Sequence, residues 1–530
     1  MKNVWQKHYD PGVPTSLSYP EWTLYEMLVE TVQRYPDYTA IHFNEIEISY
    51  QALLERVDAL AAGLKALGLK RGDGVALFLP NSPTYVIAHY AVVKLGAIVC
   101  NINIMNHGKE LTRLLDHSDA TMVITLDLFL KTVIDSLVNT PVQHLIIHSV
   151  FGMESELEEK EALPPLHHVN QLIETHKGSL HDPECRPDDI AVLQYTSGVT
   201  GDPKAAILTH RTIVSNIIQI DAWQVDKTAE NRAVICIIPF FHVFGMTICM
   251  HVSVFCGYKM VLFPQFDWSS VIQIIDAIRL HKPISFPAVS ALWAALVSSS
   301  ELKRMDLAPI EIASGGGAPL SEWVQQRYHE LTGNYIAQAY GLSEVSSTAL
   351  ICPFKKGSIT ESIGLPLPDT DVKIMDIDTG RSECNPGEIG ELVIRGPQIM
   401  KGYWKDEART RSSLRDGWLY TGDLGCMNEQ GYFFLVDRKD DMIITRGYNV
   451  YPSQVEEVLA RHPDIREAVV VGCEDALRGQ SITAFLVARE GNKPDHKTMS
   501  AYCRQYLADY QVPRTFKYRD ERSEERRVGK

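Results

Sequence analysis

The chain has 530 residues, 45% of them hydrophobic and 22% charged, which indicates a globular protein of more than one domain and excludes wholesale disorder. Its formal net charge of −15 disfavours a phosphate backbone as partner, so no nucleic acid is expected, although a small phosphorylated ligand needs only local positive charge. The 10 cysteines are scattered with no C-x-x-C pair, which argues against a zinc ribbon or disulfide framework and fits a reducing cytosol.

The first ten residues mix Lys, His and Asp without an apolar core, so no signal peptide is expected and the location read is cytoplasmic. The first strong period is helical. From Tyr50 to Leu67, Leu53, Leu54, Val57, Leu60, Ala61 and Leu64 recur at the 3, 4 spacing, and Gly68 follows as a stop. The apolar run Gly74–Leu79 predicts a buried strand, Ser82–Leu95 a second helix, and Gly96–Cys100 a further strand. Thr121–Ile124 and His144–Ile147 extend the alternation, which implies parallel sheets covered on both faces. Residues 152–188, with an acidic run and Pro164-Pro165, read as a solvated surface connection.

Ala233–Tyr258 contains no Asp, Glu, Lys or Arg, but Pro239, His242, Gly245, His251 and Gly257 break it, so it reads as a buried strand and a buried helix rather than a transmembrane span. After Gly364, closely spaced glycines separate short strand-like pieces such as Glu391–Arg395, which suggests a small antiparallel, barrel-like unit. Beyond Asp437 the pattern returns to a helix (Ser453–Arg461) and two strands (Ala468–Gly472 and Ile482–Ala488). The fold class is therefore α/β, α+β overall. An N-terminal domain, 1–437, would hold two covered parallel-type sheets and the small barrel-like unit. A small α+β domain, 438–530, would follow.

The segment richest in chemistry is Tyr195-Thr196-Ser197-Gly198-Val199-Thr200-Gly201-Asp202-Pro203-Lys204, just after the apolar Ile190–Leu193. Its glycines admit close backbone approach, its hydroxyls and successive N–H groups suit an anion, and Lys204 adds a point charge. It does not fit the P-loop spacing, and a polar turn after a strand is the plain alternative. Further motifs follow in order: Pro239-Phe240-Phe241-His242-Val243-Phe244-Gly245, Ser314-Gly315-Gly316-Gly317, Gln338-Ala339-Tyr340-Gly341-Leu342-Ser343-Glu344, Tyr420-Thr421-Gly422-Asp423-Leu424, and Asp437-Arg438-Lys439-Asp440-Asp441 through Arg446-Gly447 to Pro452.

Taken together, these segments resemble the signatures of the adenylate-forming enzymes, among them acyl-CoA synthetases, peptide-synthetase adenylation domains and luciferases. The resemblance spans nearly the whole chain. It implies that a carboxylate attacks the α-phosphate of ATP to give acyl-AMP and pyrophosphate, and that coenzyme A then takes the acyl group. Because carboxylate and triphosphate repel, such a site must supply positive charge, N–H donors and in-line positioning. By resemblance, Thr196, Ser197, Gly198, Thr200, Gly201 and Lys204 would cradle the phosphates, with Thr196, Lys204 and Glu344 as catalytic residues. Glu344 would hold Mg²⁺ and Ser343 would reach the α-phosphate. Tyr340 would stack on adenine beside Gln338 and Gly341, while Gly315, Gly316 and Gly317 would let nucleotide and acyl chain pass. Asp423 and Arg438 would bind the ribose, and Phe240, His242 and Gly245 would flank the acyl pocket. Asp440 would be the hinge of a mobile C-terminal domain, and Arg446 and Gly447 would meet coenzyme A.

The sequence departs from the family pattern in places. Val199 replaces a hydroxyl residue, Ala205 a glycine, and Ser343 the commoner threonine. Where the family carries an essential lysine after a Pro-Arg/Lys segment, this chain has Pro513-Arg514, then a charge run ending in Gly529-Lys530. Lys530 is thus the candidate catalytic lysine, with an exposed tail lysine as the alternative reading.

The apolar residues around 234–257 and 283–297 point to a fatty acid, and the motif at 239–246 is most like bacterial medium- and long-chain fatty acyl-CoA ligases. A coumarate-type aromatic acid, loading of a carrier protein, and a non-catalytic nucleotide-binding homologue stay open. So do a peripheral membrane contact and a homodimer.

Overall fold

The 3, 4 spacing near position 50 does form a helix, Tyr50–Ala66, started by Ser49, whose hydroxyl accepts from the Ala52 N–H, a cap of about 1 kcal/mol. Gly68 ends it in the left-handed region (φ +96°), where its N–H donates to the Lys65 carbonyl at 2.9 Å and that of Leu69 to Leu64 at 3.1 Å. In this computed structural model the described residues are 3–149, 163–179, 182–196, 203–225, 232–264, 270–355, 359, 361–445, 448–475, 479–489 and 492–519. They fall into two compact units, Met1–Asp371 with Arg395–Gly417, and Val372–Ile394 with Trp418–Lys530.

The first unit holds two sheets. One runs Leu166–His168, His144–His148, Ala120–Leu126, Gly74–Phe78, Ile98–Asn101, Ile190–Tyr195, Ala205–Thr209, all parallel except the last pair. Its central strands are buried along their whole length, as their unbroken apolar sequences require. The other contains the parallel strands Thr39–Phe43, Lys259–Leu262, Ala233–Cys236, Ser285–Val289, Ile312–Gly316 and Ala337–Tyr340 in that order. The solvated connection expected over 152–188 is corrected in part. Leu166–His168 adds an edge strand, because the Leu145 N–H finds the Pro165 carbonyl at 3.0 Å, and Val169–Thr175 is helical.

The uncharged stretch forms the buried strand Ala233–Cys236 and a buried helical run, as read, but its first part, Gly245–His251, is a π-helix that continues as the α-helix Val252–Cys256. Among the described residues no helix is long and apolar enough to cross a membrane. Two buried polar clusters lie in this unit. Lys94, 1% exposed, pairs with Asp58 at 2.7 Å and lies over the Tyr25 ring, whose hydroxyl also donates to Asp58. His89 and His251 lie with ring centroids 4.9 Å apart, and the Tyr90 hydroxyl is 2.8 Å from His251 Nδ1.

The second unit contains an antiparallel set, Gly390–Arg395, Trp418–Met427 and Phe433–Arg438, in line with the small antiparallel piece expected. A five-stranded sheet follows, Tyr448–Val450, Ile443–Thr445, Gly479–Ala488 and Ile465–Asp475, with Thr515–Arg519 parallel to Gly479–Ala488. The helix Pro452–Ala460 packs Val455 and Leu459 onto it, around Ile465 and Leu486. The position 437/438 lies where Phe433–Arg438 passes into the short turn Lys439–Asp441.

Candidate functional site

The buried strand Ile190–Tyr195 delivers Thr196, whose N–H donates to the Lys204 carbonyl at 2.9 Å, so the two ends of the hydroxyl-rich loop are tied together. Ser197, Gly198, Thr200 and Gly201 lie outside the described residues. Lys204 opens the strand Ala205–Thr209, and its ammonium reaches Glu344 Oε1 at 2.9 Å while lying 4.5 Å above the Tyr403 ring. The Tyr403 hydroxyl donates to the same Glu344 oxygen at 2.8 Å. Burial first, and the Glu344 carboxylate second, push the Tyr403 hydroxyl far above its usual range, which keeps it a donor.

Tyr403 was not singled out in the sequence. It is placed by main-chain pairing: the Lys401 N–H donates to Ile207, the Ile207 N–H to Gly402 and the Trp404 N–H to Ala205, at 2.9–3.0 Å. The pairing of 401–404 with 205–207 joins elements nearly two hundred residues apart, and no local period announces it. A Tyr–Trp pair after Gly402 was the one available signal.

Glu344 sits in the 3₁₀ turn Ser343–Val345, 7% exposed, and its carbonyl accepts from the Met400 N–H at 2.8 Å. Two features bend the chain there. A Cβ at Gly341 would fall 1.5 Å from the Ser347 carbonyl oxygen, so only glycine fits. Ser346 then takes φ +59° and Ser347 φ +139°, sparsely populated backbone held by tertiary bonds. The Thr247 hydroxyl donates to the Ser346 carbonyl at 2.7 Å, and the Ser346 hydroxyl to that of Gln398 at 2.9 Å.

The resemblance implies Mg²⁺. No group of three or more His, Cys, Asp or Glu able to hold a metal occurs among the described residues. A single carboxylate, Glu344, is the donor set that suits a hard cation arriving with phosphates, so these residues fit it.

Gly315 and Gly316 end the strand Ile312–Gly316, with Gly315 in register opposite Gln338, and Gly317 turns away at φ +81°. A Cβ on Gly316 would lie 3.4 Å from the Ala339 carbonyl and 3.5 Å from the Phe244 ring. Tyr340 ends the neighbouring strand Ala337–Tyr340 and is buried. Against this strand pair lies an apolar cavity of about 20 Å³, lined by Ile220, Trp223, Phe244, Ile248 and Ala339 among others. That is room for one water and not for an alkyl chain.

The three residues expected to flank an acyl pocket separate here. Phe240 is fully buried, its N–H donating to Asn81 and its carbonyl accepting from Tyr85. His242 is exposed, and its Nδ1 accepts from the Phe244 N–H at 3.2 Å. Gly245 begins the π-helix where a Cβ would lie 2.3 Å from the Pro239 carbonyl oxygen, which fixes the approach of the cavity-lining Phe244. A larger open groove, about 640 Å³, is lined by Arg304, Met305, Leu307 and Leu331 among others and by none of the predicted residues.

In the second unit Asp423 and Arg438 face each other across the strand pair, Arg438 Nε donating to Asp423 Oδ1 at 3.0 Å. Asp423 is 7% exposed, and the Thr421 hydroxyl accepts from its N–H while donating to the Leu392 carbonyl. Glu391 supports the turn by accepting from the Gly422 N–H and from Lys439. Asp440 is exposed in the Lys439–Asp441 turn. Arg446, Gly447 and Lys530 lie outside the described residues.

A family model described as "AMP-binding enzyme" matches residues 28–404, and one described as "AMP-binding enzyme C-terminal domain" matches 454–530. The long-chain-fatty-acid–CoA ligase of Bacillus subtilis (strain 168) is 37% identical over 533 residues, covering 98% of this chain and 94% of the relative. That of Escherichia coli O157:H7 is 32% identical, covering 98% and 95%. Among solved structures, ATP-bound MatB from Rhodopseudomonas palustris superposes with a TM-score of 0.84 at 25% identity, covering 94% of this chain and 95% of that one. The o-succinylbenzoate–CoA synthetase of Bacillus subtilis, in complex with its acyl-adenylate intermediate, gives 0.78 at 26% identity, covering 96% of each.

Proposed function

Because this chain belongs to the AMP-binding enzyme family, we propose that it is an ATP-dependent long-chain fatty-acid–CoA ligase. A fatty-acid carboxylate oxygen attacks the α-phosphorus of ATP, the bond to the bridging oxygen breaks, and pyrophosphate leaves. The thiolate sulfur of coenzyme A then attacks the acyl carbon, the bond to the AMP oxygen breaks, and acyl-CoA and AMP depart. Relatives that carry this name align over nearly the full chain. The observation that carries the reading is the meeting of Lys204, Tyr403 and Glu344 four residues before Thr348, which lines the apolar cavity.

Residue by residue, the Thr196–Lys204 segment grips the β- and γ-phosphates, and Lys204 turns from Glu344 to the phosphates when ATP enters. Glu344 is the residue that would hold Mg²⁺, which when bound offsets phosphate charge. Ser343 and Gly341 approach the α-phosphate, while Gln338, Tyr340 and Gly315–Gly317 frame adenine and the acyl path. Asp423 binds the ribose hydroxyls, with Arg438 beside it. His242 and Gly245 set the entrance of the acyl pocket by fixing Phe244, and Phe240 supports that segment from the core. Asp440 is the hinge of a functional division at 437/438, Arg446 and Gly447 meet coenzyme A, and Lys530 is the candidate lysine of the first step. A cytoplasmic location, a peripheral membrane contact and a homodimer complete the reading.

The test is pyrophosphate release from ATP over a panel of short to long saturated acids and a coumarate-type acid, followed by AMP release on adding coenzyme A. Long-chain acids should give both steps. Pyrophosphate release without the second step, restored by a carrier protein, would turn the reading toward carrier loading. Nucleotide binding without pyrophosphate release would reduce it to a binding protein.

A further inference from the structure

One short segment, Ser346–Thr348, joins Glu344 to the apolar cavity, and both helical elements that line the cavity hold it. Helix His210–Trp223 supplies Ile220 and Trp223 to the lining, and its Asn216 side chain accepts from the Thr348 N–H at 3.0 Å and donates to the Thr348 carbonyl at 2.7 Å. The π-helix Gly245–His251 supplies Ile248, with Phe244 just before it, and its fully buried Thr247 donates to the Ser346 carbonyl at 2.7 Å. On the other side the Ser346 hydroxyl donates to Gln398, two residues before Met400, whose N–H donates to the Glu344 carbonyl.

The cavity, at about 20 Å³, admits no acyl chain as it stands, so a bound chain must displace lining residues. Gly245–His251 winds as a π-helix, a rare form that recurs at functional sites. Thr247 lies between Phe244 and Ile248 in the same helical run and is bonded to the left-handed residue that follows the Glu344 turn.

We propose that Thr247 is a positioning residue through which filling of the acyl cavity sets Glu344, and with it the Lys204 pair, so that the phosphate site is completed only when the acid is in place. This rests on the proposed ligase reading. It adds a device that ties acid binding to the chemistry, which would limit idle attack of water on ATP.

Thr247→Val keeps the shape and removes the hydroxyl, and Thr247→Ser keeps the hydroxyl. Two readouts are needed, both on the full chain. The first is amide hydrogen exchange of peptides covering 340–348 and 398–403, without nucleotide, with and without a saturated long-chain fatty acid. The second is acid-dependent pyrophosphate release. In the unaltered chain the acid should change exchange in both peptides. Thr247→Val should still bind the acid, seen by quenching of indole fluorescence. It should lose the exchange response, and its kcat for pyrophosphate release should fall about tenfold with little change in the KM for the acid. Thr247→Ser should restore both.

The proposal is overturned if Thr247→Val keeps the response and the kcat, if Thr247→Ser behaves like Val, or if Thr247→Val no longer binds the acid, which would mark a purely structural contact. If the unaltered chain releases no pyrophosphate with any acid, it is the ligase reading that fails. The exchange response then still decides whether cavity and Glu344 are connected.

Discussion

Tyr403 donates its hydroxyl to Glu344 Oε1 at 2.8 Å, across 59 residues of sequence, and shares that oxygen with the Lys204 ammonium. The carboxylate is therefore held by two donors, one on a paired stretch of main chain and one at the end of a long side chain. Tyr403 is fixed by main-chain pairing on both sides, whereas Lys204 is a flexible, partly exposed chain.

Tyr403→Phe removes the fixed donor and keeps the ring over which Lys204 lies. A hydrogen bond to a charged group is worth about 1.5–3 kcal/mol, so kcat/KM for acid-dependent pyrophosphate release should fall about tenfold or more. Steady-state kinetics over ATP concentration measures this, and an unchanged kcat/KM would show that Tyr403 does not support Glu344.

Asp423→Ala should weaken ATP use by about 1.5–3 kcal/mol, the scale of charge-assisted hydrogen bonds to a ribose. Arg438→Ala should cost less, because its side chain is half exposed and its bond to Asp423 is replaceable by water. Unchanged ATP KM and kcat for Asp423→Ala would remove Asp423 from the nucleotide site.

Trp223 limits the cavity because it is held from behind. Its ring meets Tyr9 edge-on at 4.8 Å, and its Nε1 donates to the Cys352 carbonyl at 3.4 Å. Trp223→Leu should enlarge the cavity, lower stability by about 2–4 kcal/mol, and raise the kcat/KM ratio of longer over shorter acids about tenfold. Denaturant titration and a chain-length series measure the two effects. A stability loss with an unmoved preference would place the acyl chain elsewhere.

The buried histidines make stability sensitive to acid. Burial, and secondarily His210, pushes His89 down to about 3, and burial pushes His210 down to about 4, although Asp189 acts against it. His251 is lowered by burial, then by His89 and His210. Neither ring nitrogen of His89 has a hydrogen-bond partner among the described residues. The folded chain keeps these rings neutral while the unfolded chain protonates them near 6.5. Their contribution is therefore complete above about pH 6.5 and is lost as the pH falls, toward about 4 for His210 and about 3 for His89, by up to about 1.4 kcal/mol per pH unit for each histidine. His89→Leu should make the acid limb of the stability curve shallower in chemical denaturation at several pH values. An unchanged slope would mean that the cluster is already protonated or hydrated in the fold.

The sequence was most legible where one local period decided the structure. Tyr50–Ala66, Gly74–Phe78 and Pro83–Lys94 follow from spacing, caps and unbroken apolar runs. The motifs around Thr196, Gly315 and Glu344 were legible as segments, and the fold brings Lys204 to Glu344. What the sequence hid depends on tertiary partners. Gly245–His251 winds as a π-helix although its composition reads as ordinary buried helix, Leu166–His168 becomes a strand only because Leu145 lies beside it, and Tyr403 gains its place from pairing with Ala205–Thr209. Phe240, conspicuous in its motif, is held in the core by Asn81 and Tyr85, while its neighbour Phe244 lines the cavity.

The sealed pair of Lys94 and Asp58 restricts how this lineage can drift. Losing either partner alone strands a charge in a dry interior, at about 3–5 kcal/mol, whereas exchanging both for matched apolar side chains is close to neutral. Descendants should therefore carry both residues or neither, with Tyr25 following Asp58, and intermediates bearing one of them should be rare.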